Sequence, residues 1–176
     1  MRKMIDFFNH RRIILFWLVS IVGLIAPWLT SCTTRPISPT EPVACAVLSV
    51  YDGDTLTAKC SGERIKIRLY CIDAPEMGQR PWGKESRDYF RGLIPQGTEV
   101  DVRKHDRDRY GRTVGEVLRK RENVNLAMIE AGQSAVYDRF CEDSSYHKFE
   151  AGARKNSSGI WSKPGDHQRP WDWRKR

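Results

Sequence analysis

The sequence predicts an α+β domain: a small closed barrel of five β-strands covered by about three helices. Apolar and polar residues alternate through "ACAVLSVYDGDTLTAKC" (residues 44–60) on both sides of an Asp-Gly pair, the strongest short-range hairpin signal. The alternation continues through "ERIKIRLYCID" (63–73) and returns in "TEVDVRKHD" (98–106) and "GRTVGEVLRK" (111–120). Strands this short need closure to avoid exposed edges. Between and after them the apolar spacing lengthens to that of a helix.

In chain order, the first two strands flank a turn at Asp52-Gly53. In the third, Ile65, Ile67 and Leu69 point one way and Lys66, Arg68 and Tyr70 the other, completing a meander. From Trp82, the residues Tyr89, Phe90, Leu93 and Ile94 recur at helical offsets until Pro95 and Gly97 end the element. The fourth and fifth strands flank the loop "RDRYG". "VNLAMIEAG" is a short helix closed by Gly132, and "SYHKFEAGARKN" is another, ending before Gly159. The ending "KPGDHQRPWDWRKR" shows no period and reads as surface or partner-facing, with Trp171 and Trp173 packing against the barrel. Trp82 and Trp161 read as core, and His105, His147 and His167 as solvated. A five-stranded OB-fold barrel is the natural candidate for such an order of elements.

The N-terminus reads as a leader rather than as part of this fold. Arg2, Lys3, Arg11 and Arg12 precede the apolar run "IILFWLVSIVGLIAPWL", the layout of a secretory signal. The run ends in "LTSC", which resembles the lipobox of bacterial lipoproteins, so residues 1–31 are expected to be removed and Cys32 lipidated. An uncleaved transmembrane anchor is the competing reading, since a span needs about 20 apolar residues. Residues 32–42 are Pro- and Thr-rich, as in a tether, so residues 43–163 form the domain and 164–176 a basic, Trp-rich tail. The expected location is a membrane surface facing the periplasm or the cell exterior.

The formal net charge of the 176-residue chain is +8, and cleavage after Ser31 removes four basic residues and one acid, leaving +5. A polyanionic partner suits that charge. Four cysteines remain after Cys32. In an oxidising compartment an even count reads as disulfides, against the alternative of four buried thiols. Cys45 and Cys60 lie symmetrically about the Asp52-Gly53 turn and face each other in a hairpin, leaving Cys71 and Cys141 as a second bridge. None of the spacings suits zinc.

The polar residues at the strand ends carry the chemistry. Asp54 follows the hairpin turn, Asp73 and Glu76 follow the third strand, Arg68 lies on that strand's polar face, and Arg112 ends the loop before the fifth. Two aspartates offer hard oxygen ligands to Ca²⁺ or Mg²⁺. A nearby glutamate can take a proton from water, and two arginine forks can hold phosphate oxygens in a five-coordinate transition state. Together these are the parts that phosphodiester hydrolysis needs.

"YDGDTL", "IRLYCIDAPE" and "DRYGR", in that order and with a closing "GIW", resemble the staphylococcal nuclease (thermonuclease) family over residues 43–163. The resemblance implies a Ca²⁺-dependent endonuclease acting on DNA and RNA with little sequence preference and leaving 3′-phosphate ends. It implies Asp54, Asp73 and the backbone carbonyl of Ala74 as metal ligands, Asp52 as an outer-shell acid, and Arg68, Glu76 and Arg112 as catalytic residues. Asp108, Arg109, Tyr110 and Tyr137 would contact the nucleotide. Two departures stand out: Ala74 replaces a threonine of the prototype, and the prototype has no cysteines. The alternative is a catalytically silent OB-fold lipoprotein that binds nucleic acid. Either would act as a monomer with no obligate protein partner.

Overall fold

The computed structural model describes residues 41–176. The leader, Cys32 and all but the end of the tether lie outside the described residues. Twelve regular elements follow one another. They are β1 (Val43–Val50), β2 (Thr55–Cys60), β3 (Glu63–Leu69), β4 (Ile72–Asp73), α1 (Trp82–Leu93), β5 (Glu99–Arg107), β6 (Thr113–Arg119), β7 (Glu122–Asn123), α2 (Val124–Glu130), β8 (Ala135–Val136), α3 (Ser145–Lys155) and α4 (Pro170–Trp173).

The sheet runs in the order β3-β2-β1-β5-β6, and β6 pairs back on β3. That pairing is parallel and joins Ile67 to Thr113, Arg68 to Val114 and Leu69 to Gly115, so the five strands close into a barrel. The closure fixes Arg68 between Thr55 of β2 and Val114 of β6, with strands on both sides of it.

Alternation supplies the interior. Leu56, Ile67, Val102 and Val117 are fully buried, and Phe90 from α1, Ile94 just after it, Met128 and Ile129 from α2 and Tyr146 from α3 join the same cluster. Asn125 ties α2 to the barrel. Its side chain accepts from the Val117 amide at 3.0 Å and donates to the carbonyls of Tyr70 and Gly115 at 3.0 and 3.2 Å. These bonds satisfy backbone groups at a point where the ladder ends.

The structure departs from the sequence reading in four places. The hairpin connection is not a two-residue turn but the loop Tyr51–Asp54, because the register of β1 on β2 shifts between Val47 and Ser49. An irregularity of that kind adds a residue and bends the strand. The third strand does not run to Asp73: Cys71 adopts φ +67°, and Ile72 and Asp73 leave the barrel to pair with Val136 and Ala135. The ending, in which the sequence shows no period, carries the short helix α4, with Trp171 packed on the second small core. His167, expected in solvent, is buried; its Nε2 bonds the carbonyls of Ile160 and Lys163 at 3.0 Å and its ring stacks on Trp82 at 4.2 Å.

Two cross-links brace this arrangement, Cys45–Cys60 between β1 and β2 and Cys71–Cys141 across 70 residues. Closing loops of those lengths restricts the unfolded chain by about 3 and 4 kcal/mol respectively. Loss of the second bond in a Cys71→Ala/Cys141→Ala protein is therefore expected to cost the larger part, read as a fall in the urea midpoint. A smaller loss than in Cys45→Ala/Cys60→Ala would contradict that ranking.

Gly132 ends α2 with φ +66°, and a Cβ there would stand 2.2 Å from the Ser158 carbonyl oxygen. The contact is needed, because Ile160 donates to the Gly132 carbonyl at 2.8 Å and this bond holds the turn that leads to the tail. Gly132→Ala combines a left-handed backbone with a backbone clash, so it should destabilise by at least about 2 kcal/mol. A melting temperature within about 1 °C of wild type would contradict this.

Candidate active site

Three chain segments meet at one mouth of the barrel. The loop Tyr51–Asp54 brings Asp52 and Asp54, the exit of β3 through β4 brings Arg68, Asp73 and Glu76, and the loop between β5 and β6 brings Asp108 and Arg112. Gly53 lets the first loop come close: a Cβ on it would lie 1.9 Å from Ser86 Oγ of α1 and 2.5 Å from the Ala74 side chain. The small residue at position 74 belongs to the same close packing.

Arg68 organises the centre. Its Nη1 donates to Asp54 Oδ1 at 2.8 Å and its Nη2 to Asp73 Oδ1 at 2.5 Å, so one guanidinium fork spans both carboxylates. Asp54 Oδ1 also accepts from the Thr55 hydroxyl at 2.9 Å, and its Oδ2 from the Ala74 amide at 3.1 Å. Asp52 accepts from the Asp54 amide at 3.1 Å, bending the loop so that Asp54 points inward. The Asp73 side chain has no solvent exposure.

Burial would raise the pKa of Asp54, but the Arg68 charge and the bonds from Ala74 and Thr55 outweigh it and hold the carboxyl below its ordinary value. Asp73 is pushed up to about 6, by burial first and then by the Asp54 charge, with Arg68 and Arg174 opposing. Asp52 is pushed up to about 7, again by burial and then by Asp54. Asp54 takes most of the available positive charge, and Asp52 and Asp73 are left crowded against it.

Arg112 is held differently. Its Nε donates to Asp108 Oδ2 at 2.7 Å and its amide to Oδ1 at 2.9 Å, while Nη1 reaches toward the Thr55 hydroxyl at 3.5 Å. Asp108 thus sets the direction of Arg112 rather than standing free in the groove. Arg109 and Tyr110 stay at the rim, bonded to each other at 2.8 Å, and Tyr110 is 69% exposed. Tyr137 lines the opposite wall. The groove between, about 1160 Å³, also takes in Lys66, Arg107 and Arg139, and exceeds the usual size of a small-ligand cleft. Acidic and basic side chains line it in equal number, and its arginines and aromatic rings suit a strand of linked phosphates and bases.

Sequence reasoning missed one residue here. Arg174, the first residue after α4, donates from Nη1 to Glu76 Oε1 at 2.6 Å and from Nη2 to Asp73 Oδ2 at 2.8 Å. Only the basic ending hinted at it. The backbone of Glu76 is fixed separately, its amide donating to the buried Gln79 Oε1 at 2.8 Å.

The donors fit a hard divalent cation. Asp54 and Asp73 lie close enough to share one guanidinium, both are carboxylates, and the surrounding charge favours a cation. Among the described residues no group of three or more His, Cys, Asp or Glu is placed to hold a metal ion by side chains alone. Two carboxylates and a backbone carbonyl would leave most of the shell to water, as oxygen-seeking ions accept.

The family model for staphylococcal nuclease homologues matches residues 66–163. Among similar proteins, a chain from Escherichia coli named "Uncharacterized endonuclease" is 39% identical over 141 residues, covering 77% of this chain and 90% of its own. One of the same name from Haemophilus influenzae is 33% identical, covering 77% and 75%. The "Micrococcal nuclease" of Shigella flexneri is 34% identical, covering 73% and 79%. The barrel and its mouth define a phosphodiesterase-like OB-fold, and the chain belongs to the staphylococcal nuclease family.

Proposed function

We propose that this protein is a Ca²⁺-dependent endonuclease that hydrolyses DNA and RNA with little sequence specificity, leaving 3′-phosphate ends, and that it is exported and held at a membrane by a lipid on Cys32. The observation that carries the catalytic reading is the shared fork: Arg68 bridges Asp54 and Asp73 at the same mouth as Glu76 and Arg112. Nuclease names among its relatives support the substrate class.

Asp54, Asp73 and the Ala74 carbonyl would hold Ca²⁺, which when bound supplies positive charge against the phosphate. Glu76 accepts a proton from water as the water oxygen bonds to phosphorus. Arg68 and Arg112 donate to the phosphoryl oxygens as negative charge gathers on them, and Asp108 keeps Arg112 aimed. The bond from phosphorus to the 5′-oxygen breaks, leaving the phosphate on the 3′ side. Tyr110 and Tyr137 offer aromatic surface to bases without reading them, in keeping with low specificity.

Digestion of single- and double-stranded DNA and of RNA by the full chain in detergent, with Ca²⁺, with Mg²⁺ and with chelator, tests this reading. Cleavage that requires Ca²⁺ and yields 3′-phosphate ends is expected. A folded protein that binds DNA but cuts nothing in any of the three conditions would establish the silent binding module instead.

A further inference from the structure

Arg174 has an unusual pair of partners. An exposed tail with three consecutive cations could satisfy them on surface acids, and Lys175 and Arg176 do so, on Asp172 and Asp166. Arg174 instead reaches a carboxylate with no solvent exposure, Asp73, and the one group beside it read as the base, Glu76. Burying a guanidinium against such a partner costs desolvation that a surface contact avoids. The body of the tail is firmly seated: His167 and Pro170 are buried, and Trp171 lies flat on Tyr137, with centroids 5.2 Å apart and planes 4° from parallel. The anchor delivers Arg174 to one place, and the side chain alone, 37% exposed, can swing away without unpacking it.

Charge counting shows what this contact does. Asp54, Asp73 and Glu76 bring three negative charges, while Arg68 and Arg174 bring two positive ones. A divalent cation would stand against the same acids, Asp73 and Glu76, that Arg174 now neutralises, and the two positive groups would repel each other there. Both oxygens of Asp73 already accept from arginine, Oδ1 from Arg68 and Oδ2 from Arg174, so a cation approaching Asp73 competes with a guanidinium for the same carboxylate. Arg174 is the more exposed of the two, with 37% against 16%, and it arrives on a chain end rather than within a barrel strand.

The geometry points to Arg174 as a resident counter-ion of the active site, holding Asp73 and Glu76 until a divalent cation displaces it. The proposal rests on the reading of Asp73 as a metal ligand and adds regulation to it: tail and cation exclude each other at Asp73, so the tail sets how much Ca²⁺ the site needs.

Calorimetric titration of Ca²⁺ into the full chain in detergent, without nucleic acid, tests this directly. Arg174→Ala should bind Ca²⁺ about tenfold more tightly than wild type, since removing a half-buried competing charge changes affinity on that scale. Arg174→Lys, which keeps the charge but not the fork, should fall between. Arg169→Ala, on the same tail but paired with Asp172, should match wild type. Unchanged or weaker binding by Arg174→Ala overturns the proposal, as does equal tightening by Arg169→Ala, which would mean only a general charge effect. Wild-type cleavage with Ca²⁺ alongside unchanged affinity in Arg174→Ala would end the proposal and leave the nuclease reading standing. Absence of Ca²⁺ binding in every form would remove both.

Discussion

Arg68→Ala is expected to lower the cleavage rate by about 10² to 10³, the usual cost of removing one preorganised donor from a transition state that gathers negative charge. The same substitution should destabilise the protein, because Arg68 is the shared partner of two carboxylates with side-chain exposures of 5% and 0%. Breaking a buried pair leaves an uncompensated charge and costs about 3 kcal/mol or more. The two effects separate in one experiment. Ca²⁺ held by Asp54 and Asp73, as proposed, would restore positive charge there, so saturating Ca²⁺ should recover most of the melting temperature and little of the rate. Arg68→Lys should behave in the same direction, keeping charge for the aspartates but losing the planar fork that matches phosphate oxygens. Thermal melts and initial rates, each with and without Ca²⁺, decide the matter. Recovery of the rate together with the melt would mean that Arg68 acts only as a counter-ion and that transition-state charge is met elsewhere.

The barrel was legible because its strands keep period two wherever one face is buried: Ile65, Ile67 and Leu69 alternate with Lys66 and Arg68 in the sequence as they do across the wall. What was not legible depends on distant partners. Nothing near Tyr70 announces that the strand must break at Cys71; the break is held by a bond to Cys141 and by Asn125 taking the Tyr70 carbonyl. The two-residue strands β4, β7 and β8 are too short to have a period at all. In the site, Asp54, Arg68 and Asp73 could be grouped because each stands where a strand meets a loop. Arg174 could not, since it lies 98 residues from Glu76 and 101 from Asp73, and its approach follows from how His167, Pro170 and Trp171 pack. The sequence shows no period there, so only the packing of Trp171 could be read from it. A buried histidine and a stacked tryptophan in this ending are visible only once the second small core around Ile160 and Trp161 has formed.

Glu76→Gln should reduce turnover by about 10² to 10⁴ while leaving the proposed Ca²⁺ ligands Asp54 and Asp73 intact, because it removes a proton acceptor and not a proposed ligand. The substitution is close to isosteric. Its amide oxygen can still accept from Arg174, and the backbone of residue 76 stays fixed through Gln79, so the fold should melt within about 1 °C of wild type. The position of the carboxylate makes Glu76 the candidate base over its acidic neighbours. Asp73 is enclosed and both of its oxygens accept from arginines, and Asp54 is bonded by Arg68, Thr55 and Ala74. Glu76, 36% exposed in its side chain against 5% for Asp54 and 0% for Asp73, is the most open of the three to the groove where water and substrate enter. Glu76→Asp sharpens the test, since it keeps a carboxylate but draws it back by one methylene. A general base should then give a rate between those of wild type and Glu76→Gln. If Glu76 merely tethered Arg174, the shortened acid and the amide would both loosen that arginine, and Ca²⁺ affinity rather than turnover would change.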